Sequence, residues 1–303
     1  MFGREASPPL LSVNQQVMTR AREPNLPART GTTAEMGGTR DTWLRTSRSH
    51  TNGRVFYKAS DASSIDKASA LSWNNAVDLH IFPLVDWYDA RVKVGSKNDA
   101  GTFFRTTTTQ PAPGNPDGGT NFQIAPEARY YLEGAIEYLD AEGEYHVSLG
   151  EVVPGSRGWT LFYPPAGVSE AHMESAVLSI SKKPIIDVTT DGDDVYISFE
   201  HLVIEGARRF LATVYDAYYV DFYKSTFINA GHDGVDVYSQ HVTFRDCIFE
   251  GTGGSSVRMG DDRDFFSDGK GFLLLESGNA VVDSLISDFS STCRHYSEGK
   301  WRF

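Results

Sequence analysis

The chain has 303 residues, 28 Lys plus Arg against 40 Asp plus Glu, and a formal net charge of −12. That balance argues against a nucleic-acid partner, which needs a basic face to meet phosphates, and against an anionic membrane surface. At 40% hydrophobic residues the chain can bury a core, and no window holds the roughly 18 consecutive apolar residues of a membrane span.

Two cysteines, Cys247 and Cys293, are too few for a disulfide framework or a thiolate metal site. Cys247 lies among Val242, Phe244 and Phe249 and reads as a small core residue. No Asn-x-Ser/Thr sequon occurs, and residues 1–11 show no secretory leader. The chain stops at Trp301-Arg302-Phe303, straight after a strand-and-turn pattern, so a fragment of a longer, extracellular product is expected.

Residues 1–70 are rich in Arg, Thr, Ser and Gly, with Pro8-Pro9, Gly37-Gly38 and Asn52-Gly53 as breakers, and are expected to be irregular. Strands are predicted at 77–85 and 91–94, a loop at 106–120, a short helix at 128–139 and a strand at 161–163. Residues 71–170 are thus a β-rich accessory region without repeats. Short strands follow at 176–180 and 185–188, opening a third region that runs from 171 to 303.

That region repeats. Phe199-Glu-His-Leu202-Val-Ile204, Phe222-Tyr-Lys-Ser225-Thr-Phe227 and Phe244-Arg-Asp-Cys247-Ile-Phe249 align without gaps, 23 and 22 residues apart. A fourth copy, Val281-Val-Asp-Ser284-Leu-Ile286, follows after 37 residues, the excess being an inserted loop at 261–275. A period of about 22 residues with alternating strands is one coil of a solenoid. Leucines at fixed places and an Asn ladder are missing, so a right-handed parallel β-helix is expected, with Phe199, Phe222 and Phe244 in one internal column. An antiparallel sandwich with accidental spacing is the alternative. In a second strand per coil, Ala212, Val235 and Val257 share one face, while Thr213, Asp236 and Arg258 point the other way.

Several stretches in this order resemble right-handed β-helix carbohydrate-active proteins, closest to the glycoside hydrolases of the fucosidase and xylanase type. They are Leu11-Ser-Val-Asn14 with Ala21-Arg-Glu-Pro-Asn25, Leu139-Asp-Ala-Glu-Gly143-Glu-Tyr145, Thr160-Leu-Phe-Tyr-Pro-Pro165, and Gly251-Thr-Gly-Gly254 through Gly260-Asp-Asp-Arg263. The chain departs from that pattern at Gln15, at Tyr145, at Asp261, and in an insertion at 150–158. The resemblance implies a β-helix that acts on a polysaccharide or oligosaccharide. More distant likeness to polysaccharide lyases and epimerases keeps that chemistry as an alternative.

Glycoside hydrolysis needs two carboxyl groups flanking the bond. The dense set of candidates is His232, Asp233, Asp236, Arg258, Asp261, Asp262 and Arg263. Asp236 beside Arg258 suits a nucleophile or base, because an opposite charge favours the carboxylate, and Asp262 suits the acid. The pair is expected in one solvent-accessible groove, roughly 5–9.5 Å apart. The others are expected to bind substrate. Five of the seven also have a plainer reading: an exposed ion pair for Asp236 and Arg258, a turn for Asp261 and Asp262, a corner for His232. Asp191-Gly-Asp-Asp194 lacks the distal Glu of a calcium loop and is predicted as a turn. Trp87, Tyr88, Tyr130 and Tyr131 are stacking or core aromatics. No phosphate-binding glycine loop, nucleophile elbow or HExxH motif is present, so no cofactor and no metal are expected. A non-catalytic glycan-binding scaffold on the same fold is the second function class.

Overall fold

The structure, a computed structural model, describes residues 9–25, 43–49, 54–68, 77–82, 90–98, 103–106, 124–148, 158–260, 278–287 and 301–302. The chain divides into two compact units, Met1–Val17 with Glu174–Phe303, and Met18–Met173. Strand β1 (Leu10–Val13) turns through Asn14 and Gln15, both at positive φ, into β2 (Gln16–Val17) of the first unit.

The second unit contains β3 (Thr19–Arg20), β4 (Arg22–Glu23), β5 (Leu44–Arg45), β6 (Arg54–Phe56), the short helix α1 (Ala62–Asp66), β7 (Asp78–Ile81), β8 (Ala90–Lys97), β9 (Phe103–Thr106), β10 (Arg129–Glu133), β11 (Glu144–Ser148) and β12 (Trp159–Phe162). One antiparallel sheet has the order β4-β10-β7-β8-β9-β6, with β5 also on β10. A smaller sheet has the order β12-β11-β3. Alternation sends Leu79, Ile81, Val92, Val94, Tyr130 and Leu132 into one core with Phe104 and Ile124, while Asp78, His80, Tyr131 and Glu133 take the other face of their strands.

Two expectations are corrected in this unit. Residues 128–139 are not a helix: they form β10 and a single 3₁₀ turn at Ile136–Tyr138. The run Tyr130-Tyr131-Leu132 is rich in strand formers, and pairing on both edges of β10 outweighs any helical preference. The stretch 1–70 is not uniformly irregular, because its described parts supply β1 to β6 and α1 to the two units. Among the described residues of 70–170 the strands pair antiparallel with one another. Trp87, Tyr88 and the 106–120 loop beyond Thr106 lie outside the described residues.

The remainder of the first unit is the solenoid, a parallel β-helix of about three turns. Strand β13 (Ala176–Ser179) pairs antiparallel with β1 rather than joining the coils. The coils use β14 (Ile186–Glu200), β15 (Val203–Ala207), β16 (Ala212–Tyr223), β17 (Thr226–Ala230), β18 (Val235–Tyr238), β19 (Val242–Arg245), β20 (Ile248–Thr252), β21 (Val257–Gly260), β22 (Ala280–Val282) and β23 (Leu285–Ser287). They stack in parallel as two sheets, β21-β18-β16-β19-β22 with β14 on β16, and β15-β17-β20-β23, which ends on the antiparallel strand β24 (Trp301–Arg302). The register pairs Phe199 with Phe222, Phe222 with Phe244, and Phe244 with Val281, which is the column read from the repeat. Ring centroids are 4.9 and 4.8 Å apart along it, matching the spacing of neighbouring strands at roughly 4.7–4.9 Å. A second column, Phe227 on Phe249 at 4.9 Å, packs edge-on against the first. Cys247 is buried in the same core, and burial pushes its thiol up.

Corners repeat as well as strands. Tyr196, Tyr219 and His241 occupy one corner in the left-handed region, and their rings stack 4.7 Å apart. Gly206, Asn229 and Gly251 occupy another, at φ +80, +64 and +68. A Cβ on Gly251 would meet Asn229 Oδ1 at 2.5 Å, so glycine is required there both by φ and by space. The acidic run 191–194 is not a turn between two strands but a bulge within β14, where pairing with β16 shifts register and Gly192 sits at φ +93. Among the described residues no helix is long and apolar enough to cross a membrane.

Candidate functional site

The ladder read from the repeat is present. Asp187, Thr213, Asp236 and Arg258 are paired in consecutive coils on β14, β16, β18 and β21. Thr213 Oγ1 donates to Asp187 Oδ1 at 2.9 Å. Arg258 clamps Asp236 through both oxygens, Nε to Oδ1 at 2.6 Å and Nη2 to Oδ2 at 2.7 Å, and the Tyr215 hydroxyl donates to Oδ2 at 2.7 Å. The guanidinium carbon lies 5.2 Å from the Tyr238 ring centroid.

Asp236 departs from the expected exposed ladder. Its row points out of the coil interior, but its side chain is only 1% exposed against 33% for Arg258. The cause is the spacing: Arg258 sits one strand away and folds over the carboxylate as a two-point fork, with Tyr215 closing the remaining side. Burial and the bond to Asp236 push the Tyr215 hydroxyl up. Burial alone would lower Arg258, but the hydrogen bond and charge of Asp236 outweigh it and the guanidinium stands above its ordinary value. What the ladder presents to solvent is therefore the exposed Asp187 at its head and the outer part of Arg258, with the half-buried Tyr215 and Tyr238 rings beside them.

His232 and Asp233 form the corner leading into β18 and are both buried. His232 Nδ1 lies 2.9 Å from Asp233 Oδ2, and Asp233 Oδ1 accepts the Ser255 N–H at 2.8 Å. That second bond, made by Asp233, ties one coil to the next. Asp261, Asp262 and Arg263 lie outside the described residues.

An open site lies further along β14 and β16 and on β19. Ser198, Glu200, Asp221, Tyr223, Thr243 and Arg245 line a groove of about 220 Å³. Ser198, Asp221 and Thr243 form one register row, and Glu200, Tyr223 and Arg245 the other. They alternate with Phe199, Phe222 and Phe244, so the signal for them was in the sequence as the outward partners of the internal column. Ser198 Oγ donates to Glu200 Oε1 at 3.0 Å.

The second unit holds perturbed groups of its own. Burial pushes the Glu144 carboxyl up to about 7, although Oε2 accepts N–H bonds from Asp140 and Ala141 at 3.2 and 3.3 Å. His146, two residues along β11, is lowered by burial and by Arg20. On the same face of the small sheet, Trp159, Leu161 and Tyr163 are each about half exposed. Arg20 is bonded to Asp78 and to Glu133, the latter at 2.9 Å, and Lys93 reaches Asp78 at 2.7 Å. These charges neutralise one another between the two sheets of this unit. Tyr130 and Tyr131 are buried, Tyr131 between His80 at 4.5 Å and Arg22 at 3.6 Å, which places both on the core side of the alternatives weighed for them.

No protein-family model and no curated protein matches the chain. A solved structure described as "Glycoside hydrolase" superposes with a TM-score of 0.64 at 15% identity, over 96% of this chain and 56% of that one. The chain thus spans about half the length of that structure, and the likeness establishes the fold.

Proposed function

We propose that this chain is part of a carbohydrate-active β-helix enzyme, a glycoside hydrolase acting on a polysaccharide. The observation that carries the reading is the Tyr215–Asp236–Arg258–Tyr238 constellation on the outer face of a parallel β-helix. It is a fixed set of donors and ring faces on rigid strands, immediately before the acidic sequence Asp261-Asp262-Arg263. The fold likeness to a glycoside hydrolase supports the same class. In this reading Asp236, covered as it is, positions Arg258 and Tyr215 against the substrate. Hydrolysis needs an acid and a base or nucleophile, and Asp261 and Asp262, which follow Arg258 closely in the chain, are assigned that work.

The test is reducing-end release from neutral and acidic polysaccharides by the full-length protein. Asp262→Asn or Asp261→Asn should lower turnover by about 100-fold or more. Asp236→Asn should raise KM and lower kcat through loss of the Arg258 geometry, with Arg258→Gln reproducing the effect. Wild-type turnover in both the Asp261→Asn and Asp262→Asn variants would remove the carboxyl pair. The saturation of Asp236 favours one second reading, a non-catalytic glycan-binding β-helix, and binding without turnover across the substrates would establish it.

A further inference from the structure

Asp236 spends its acceptors on Arg258 and Tyr215, but the groove formed further along β14 and β16 and on β19 does the opposite. Asp221 and Arg245 are exposed, and among the described residues neither side chain has an ion-pair or hydrogen-bond partner. Glu200 has one oxygen engaged by Ser198. These acceptors and donors converge on one concavity of about 220 Å³ together with Tyr223 and Thr243. The strands beneath are held rigid by the Phe199–Phe222–Phe244 stack, so the groups are pre-positioned on a surface that does not adapt. Its volume is below the roughly 300–1,000 Å³ of sites for drug-sized ligands, which suits a single ring.

Chemistry narrows the occupant. Adjacent sugar hydroxyls are donors that match two neighbouring carboxylates, and a ring or glycosidic oxygen is an acceptor that matches a guanidinium. A uronate carboxylate would find Arg245 but would lie beside both Glu200 and Asp221 in a chain of net charge −12, whereas a neutral sugar meets no like charge. We propose that this groove binds one neutral sugar unit of a glycan, with Glu200 and Asp221 accepting from its hydroxyls and Arg245 donating to a third oxygen. The proposal rests on the reading that the chain acts on carbohydrate and names a contact on strands other than those bearing Asp236.

Hydroxyl-radical footprinting of the full chain with xylohexaose, cellohexaose and hexagalacturonate locates binding without relying on turnover. At least one neutral oligosaccharide should protect the peptide bearing Tyr223 several-fold, and hexagalacturonate should not. Asp221→Asn and Arg245→Gln, both on exposed side chains, should each weaken calorimetric affinity for the protecting oligosaccharide by about tenfold. Protection without hydrolysis supports the groove while overturning the hydrolase. Hydrolysis of neutral polysaccharide without protection at Tyr223 overturns the groove alone, as do unchanged affinities in both variants or preferential protection by hexagalacturonate.

Discussion

Removing one partner of the Asp236–Arg258 pair should cost more from one side than from the other. Arg258→Met leaves a carboxylate that is 1% exposed with only the Tyr215 hydroxyl as a partner. Stranding a buried charge in this way costs about 3–5 kcal/mol, and Tyr215 keeps the figure near the lower end, ~3 kcal/mol. Asp236→Asn instead strands a guanidinium that is one-third exposed and can rehydrate. It exchanges charge-assisted bonds for neutral ones and for water at a group that solvent reaches, so ~1 kcal/mol is expected. Against a total stability of about 5–15 kcal/mol, the difference is measurable. Urea unfolding at neutral pH, followed by circular dichroism, reads both values, and the double variant completes a cycle in which the two losses should not add. Equal costs, or a larger cost for Asp236→Asn, would refute the argument that burial asymmetry governs this pair.

Phe222→Ala should destabilise by about 4 kcal/mol, since the ring is fully buried between two others, and Phe199→Ala by about half as much, because Phe199 heads the column and is only partly buried; thermal denaturation of the two variants compares them. Glu144 titrates at about 7 in the folded state against an ordinary value of 4.5, so it binds more protons folded than unfolded between those limits. Stability should therefore fall by up to ~3 kcal/mol as pH rises from about 4.5 through 7, and Glu144→Gln should abolish that slope. His146 acts in the opposite direction, losing stability as pH falls, so the wild-type and Glu144→Gln denaturation curves are to be subtracted at each pH.

The solenoid was legible because its signal is local and repeated. A phenylalanine every 22 or 23 residues, with alternation on either side, states the strand, its inward face and its partner in the next coil at once, and the structure pairs those residues as read. The same alternation placed Asp236 opposite Arg258. It could not say that Arg258 would fold back over the carboxylate with Tyr215 beside it, because burial of an outward side chain depends on rotamers and neighbours rather than on period. The groove at Glu200, Asp221 and Arg245 illustrates the converse. Its positions follow from the repeat, but concavity and unspent hydrogen-bonding capacity arise only when three coils are stacked. In the second unit the sequence has no period to read. Strands as short as two residues, such as β3 and β4, take their conformation from the sheets they join, so the segment 128–139 looked helical and folded as an antiparallel strand. Glu144 is the extreme case: nothing in Gly143-Glu144-Tyr145 marks a carboxyl displaced to about 7, because desolvation is a property of what surrounds it in space and not along the chain.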